Sequence, residues 1–170
     1  MRTFLLAAVV LISSLPPVVA LAEEAAIPKE GSYSTMTMGS ATSKVLQLGK
    51  ERLQMTWEFL GVQAGVSGKS LTDKATVRCL GSLRALNAEF ESSTNSCVIT
   101  RPDGDQLYWV ETVVAGRMGG ESKGTGTFVG GTGKLAGITG SGEWARQVVG
   151  RAAEGTFQTV TNSKVTYKLP

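Results

Sequence analysis

The chain has 170 residues, 42% of them hydrophobic and 18% charged, with 21 glycines, two cysteines, no histidine and a formal net charge of +3. The lack of histidine excludes Ser-His and Cys-His nucleophile systems and histidine-based metal sites. The charge is mild and its carriers, among them Lys44, Lys50, Arg52, Lys69, Lys74 and Arg78, are scattered singly, so no nucleic-acid partner is expected.

Residues 1–22 combine Arg2, an apolar run over 4–12, Pro16, Pro17 and the small residues Ala20 and Ala22. That is the layout of a secretory signal peptide cleaved after Ala22. The apolar run is shorter than the roughly 20 residues a spanning helix needs, so a membrane anchor is the poorer reading and no transmembrane segment is expected after cleavage. The expected product is secreted or periplasmic, with residues 23–31 as an extended lead-in and 32–170 as one domain. In an oxidising compartment, the even pair Cys79 and Cys97 reads as one disulfide. A catalytic or metal-binding thiol pair is disfavoured by the spacing and by the lack of histidine.

Strands are expected at residues 32–38 and 45–48. Residues 53–59, LQMTWEF, alternate fully, with Leu53, Met55, Trp57 and Phe59 on one side and polar residues on the other, the period of a strand with one buried face. Residues 74–79 alternate again and put Cys79 with Ala75 and Val77. The best helical candidate is 80–90, where Leu83, Leu86 and Phe90 fall near helical spacing, but it lies between Gly81 and a Ser-rich loop. Residues 97–100 and 106–114 flank Pro102, Asp103 and Gly104, a turn composition that predicts a hairpin. On the second arm Leu107, Trp109, Glu111 and Val113 share one face and Tyr108, Val110, Thr112 and Val114 the other. Further strands are expected at 122–129, 138–146 and 155–167. Eight or nine short strands predict an all-β antiparallel barrel or sandwich. An outer-membrane barrel is disfavoured, because several strands read as short and rich in Gly or Thr.

Residues 124–142, GTGTFVGGTGKLAGITGSG, contain eight glycines in nineteen positions. A P-loop requires glycine five residues before Gly133, where Phe128 stands; before Gly68-Lys69-Ser70 that position is Gln63. A G-x-G-x-x-G pattern fails at Val129 and at Ala136. A linker would expose Phe128, Val129, Leu135 and Ile138, which leaves a strand, a tight turn and a strand, with glycine for close backbone approach.

Residues 124–144, extending this run to GEW, resemble the allene oxide cyclase barrel-like proteins and the related dirigent proteins. Cys97, the turn at 103–105 and the closing strand at 155–169 extend the likeness more loosely. The resemblance implies a single antiparallel, eight-stranded, calycin-like barrel with an apolar cavity, here in a bacterial-type exported member. Plant members guide cyclisation or coupling of reactive lipid or phenolic intermediates, and some are trimeric. The matching motif is structural and carries no catalytic residues with it.

Glu111 shares its face with Leu107, Trp109 and Val113. Inside a barrel its carboxyl would be desolvated and its pKa raised, which would suit a general acid or a ligand anchor. The preferred reading is the plainer one, that this face is exterior or that Glu111 lies at the rim beside an arginine such as Arg117. Trp57, Trp109 and Trp144 are candidates to line a cavity, and Arg146 shares the parity of Trp144. Asp103 and Asp105 lack the later ligands of a calcium loop, so no metal and no cofactor is expected.

The leading expectation is a non-enzymatic barrel that binds a small hydrophobic or aromatic molecule, or a partner protein, with a homo-oligomer left open. The alternatives are a cyclase or isomerase with Glu111 as acid or base, and a secreted structural protein whose barrel is filled by side chains.

Overall fold

In the computed structural model, residues 27–66 and 70–170 are described. The expected signal peptide, residues 23–26 of the lead-in, and Gly68 and Lys69 lie outside them; the end of the lead-in, Glu30 and Gly31, already belongs to the first strand. Eight strands follow in chain order: β1 (Glu30–Gln47), β2 (Arg52–Gly65), β3 (Ala75–Leu86), β4 (Glu89–Thr100), β5 (Gln106–Gly116), β6 (Glu121–Gly131), β7 (Thr139–Gly150) and β8 (Thr156–Lys168). Each pairs antiparallel with its sequence neighbour, and β1 closes the ring on β8. Closure decides between barrel and sandwich: each of the eight described strands has a paired neighbour on both sides.

The alternation found in the sequence becomes the inside and outside of this barrel. Met55 and Phe59, Val77 and Cys79, Leu107 and Trp109 are all buried within it. The outer wall carries Leu60, Val62 and Leu80 on β2 and β3, with the ion pair Glu58–Arg78 interleaved among them, and Glu143 beside Lys164 on β7 and β8. The strands run from 11 to 18 residues, which corrects the expectation of several short ones. The segments 32–38 and 45–48 are parts of one continuous β1. Its middle, with few large side chains, is held by ladders on both sides, Ala41 facing Phe59 of β2 and Phe157 of β8.

The helical candidate at 80–90 is instead the β3–β4 hairpin. Asn87 and Ala88, both at positive φ (52° and 68°), form its two-residue turn. Primed turns of this kind match the twist of paired strands, and Asn tolerates the left-handed region better than Ala does. At the 102–104 turn Gly104 takes φ 90°, in line with the sequence reading.

One end of the barrel is plugged. The loops after β2 and β6 and the chain's C-terminal residues contribute Leu71, Leu135, Ile138 and Leu169, all buried in one core with Tyr33, Ile99 and Leu107. Leu135 sits on a single turn of 3-10 helix, Gly133–Leu135. Two of the apolar residues that argued against a linker are therefore the plug itself, while Phe128 faces inward and Val129 outward. The opposite end, where the loops 117–120 and 151–155 lie, is the mouth.

Candidate functional site

Between plug and mouth the barrel encloses a cavity of about 420 Å³. Its depth is set by how aromatic rings are stored against the wall. A Cβ built on Gly81 would stand 2.2 Å from Trp57 Cζ2, one on Gly126 2.3 Å from Trp109, and one on Gly124 2.5 Å from Trp144. Gly39 and Gly61 give the same clearance to the ring of Phe59. Each ring lies against a glycine of the adjacent strand, Phe59 also against Gly61 of its own, where any side chain would collide with it. The glycines of GTGTF thus act as clearance: Gly124 and Gly126 leave that stretch of the inner face of β6 bare of its own side chains.

That bare strand lets β5 and β7 communicate. Glu111 on β5 and Arg146 on β7 meet across β6 with Arg146 Nη2 2.8 Å from Glu111 Oε2. Glu111 is 7% exposed, and three donors converge on its carboxylate: Arg146, Asn95 Nδ2 at 3.1 Å to Oε2, and Trp109 Nε1 at 3.1 Å to Oε1. Arg146 also donates through Nε to Thr161 Oγ1 at 2.9 Å, and its guanidinium lies 4.6 Å from the Trp144 ring centroid. A buried ion pair of this kind is held by its additional hydrogen bonds as much as by its own attraction. It places a fixed charged cluster in a wall of aromatic and apolar side chains that Thr37, Gln63, Ser93 and Thr159 also make partly polar.

The preferred reading of Glu111 as exterior or rim-bound is therefore corrected: the Leu107 face of β5 is the interior, and its partner is Arg146. Arg117 is at the mouth, paired with Glu89 at 2.7 Å. Of the sequence candidates, Trp57, Trp109, Glu111 and Arg146 border the cavity. Trp144 does not; it is packed behind Arg146, with its N–H donated to the Thr125 carbonyl at 3.2 Å. Asn95, Thr161 and Gln63 escaped the sequence reading. Asn95 had a cue in its parity with Cys97 on β4, and Gln63 in its parity with Met55 and Phe59 on β2.

Cys79 and Cys97 are bonded directly across β3 and β4, and both residues border the cavity. At the floor, burial pushes the Tyr33 phenol far above the ordinary tyrosine range, opposed by a side-chain hydrogen bond with Thr72. Asp103, in the 102–104 turn, is bound by Arg101, which holds its carboxyl below the usual range. Asp105 accepts the Lys134 backbone N–H at 2.9 Å. Among the described residues, no group of three acidic or cysteine side chains could hold a metal ion.

No family model matches this chain. No curated protein matches it either. Among solved structures, it is similar to the pterocarpan synthase dirigent protein GePTS1, at 11% identity over 84% of this chain and 87% of that one, with a TM-score of 0.44.

Proposed function

We propose that this is an exported barrel, of the allene oxide cyclase-like and dirigent-like kind, whose cavity binds a small hydrophobic or aromatic molecule. The observation that carries the reading is the 420 Å³ cavity itself. It falls in the range of small-molecule sites, and its wall combines aromatic and apolar side chains with convergent polar groups such as Gln63, Asn95, Glu111 and Arg146. A barrel serving only as structure would fill this space with side chains, as interior-facing residues do in small closed barrels.

Both oxygens of Glu111 are engaged by donors from the wall, which suits an anchor that shapes the site better than a base free to take a proton. Export is supported by the Cys79–Cys97 disulfide and by the layout of residues 1–22. Among the described residues, no helix is long and apolar enough to cross a membrane. The charged residues interleaved on the outer wall support a barrel surrounded by water.

The test is saturable quenching of tryptophan fluorescence by a panel of small aromatic and polyene compounds, with the bound compound recovered and identified by mass. A binder returns its ligand unchanged. Turnover of a polyene, epoxide or phenoxyl-radical precursor that is lost in Glu111→Gln would establish the cyclase reading instead. Absence of saturable binding across the panel would overturn both.

A further inference from the structure

Two of the three tryptophans are tied down by their indole N–H groups, Trp109 to Glu111 and Trp144 to the Thr125 carbonyl. Trp57 is different. It is half-buried at the cavity wall, and among the described residues no acceptor receives its N–H.

Beneath its edge lies an unpartnered acceptor. Asn95 is 5% exposed, and its Oδ1 has no hydrogen-bond partner. The orientation of this amide is fixed: Nδ2 faces Glu111 Oε2 at 3.1 Å, and a carboxylate paired with arginine only accepts. Oδ1 therefore points away from Glu111, toward Gly81, where an added Cβ would stand 2.8 Å from it and 2.2 Å from Trp57 Cζ2. Trp57, Gly81, Asn95 and Glu111 are consecutive partners across β2 to β5. The indole thus covers the amide oxygen without donating to it. Gln63 Oε1 is also unpartnered, but its amide faces two threonine hydroxyls, Thr35 and Thr37, that accept or donate equally well. Asn95 is the acceptor whose identity is settled by its neighbours.

We propose that Asn95 Oδ1 is the recognition point of the cavity, and that Trp57 is a movable cover over it. The occupant is a neutral apolar molecule bearing an O–H or N–H donor; as it enters, the untied indole shifts from Gly81 and the donor takes the amide oxygen. A carbonyl acceptor buried without a partner is costly, so a ligand that supplies the donor gains what one lacking it forfeits. The same asymmetry underlies strong discrimination by buried polar groups in specificity pockets. Ligands offering only acceptors at this point, such as ethers and carboxylates, leave Oδ1 unpaired and are selected against.

The proposal rests on the cavity being a binding site, and its test separates the two. Binding of 2-naphthalenemethanol and of its methyl ether, which share the ring system and differ in one donor, is measured by calorimetry on the unmodified protein. The alcohol is expected to bind about tenfold tighter, the ratio that one well-made buried hydrogen bond gives. Asn95→Leu is expected to erase that ratio while retaining affinity for the ether. Trp57→Phe is expected to remove most of the fluorescence change on binding and to preserve the preference. Equal binding of the two compounds to the unmodified protein overturns the proposal and leaves the binding function standing. Failure of both to bind, with other aromatic compounds bound, equally overturns it, whereas failure of every aromatic compound overturns the binding function as well.

Discussion

Arg146→Met is the sharpest perturbation of the site. It keeps an unbranched aliphatic stem and removes the guanidinium both from the Glu111 carboxylate 2.8 Å away and from its place over the Trp144 ring. The side chains of Arg146 and Glu111 are 20% and 9% exposed, so solvent screens the pair only weakly. Removing one partner of such a pair costs about 3–5 kcal/mol. With a urea dependence of about 2 kcal/mol per molar, the unfolding midpoint should fall by roughly 2 M. Glu111→Leu alone strands the Arg146 guanidinium and leaves the N–H groups of Trp109 and Asn95 without their acceptor, and should also cost about 3–5 kcal/mol. In the double variant the stranded charge is absent, so its loss should be smaller than the sum of the single losses by about 2 kcal/mol. Urea unfolding followed by far-UV circular dichroism measures all three without relying on tryptophans beside the site. A single-variant loss below about 1 kcal/mol, the worth of an exposed pair, or strict additivity in the double, would refute the buried coupling across β6.

Gly126→Ala forces a methyl against the Trp109 ring 2.3 Å away and should cost about 2–4 kcal/mol. Gly150→Ala, whose added Cβ would have its nearest neighbour, Gln158 Oε1, 3.9 Å away, should stay within about 0.5 kcal/mol, and thermal unfolding compares the two. The raised ionisation of Tyr33 makes its contribution to stability complete below the ordinary tyrosine pKa and lost as pH rises above about 10, where the unfolded chain ionises first. Tyr33→Phe should accordingly flatten the alkaline fall in melting temperature, and in the unmodified protein this phenol should titrate only with unfolding. The Cys79–Cys97 bridge spans 18 residues, so Cys79→Ala with Cys97→Ala should lower stability by about 3 kcal/mol, and free-thiol labelling of the unreduced protein should find nothing.

Much of the wall was legible in the chain. The period of two in residues 53–59 and 106–114 assigned the partners of each face, the parity of Cys79 put its thiol with the apolar side, and Pro102 to Gly104 marked a turn that the hairpin uses. The interleaved Phe128, Leu135 and Ile138 showed that the glycine run is packed, and all three are buried. These features are local, set by the alternation of side chains along an extended backbone and by the φ values each residue tolerates.

What alternation does not specify is which face a closing sheet turns inward. Glu111 shares a face with Trp109, and only the pairing of β1 with β8 makes that face the interior. The meeting of Glu111 with Arg146, 35 residues later, depends on the glycines of the intervening strand as seen in three dimensions. The helical spacing at 80–90 yielded to a two-residue turn for the same reason: ladders with β2 and β5 fix both arms as strands whatever their local preference. Sequence determined the two faces of each strand through its own short-range geometry; closure, which joins residues far apart in the chain, decided which face holds the cavity and which polar groups meet inside it.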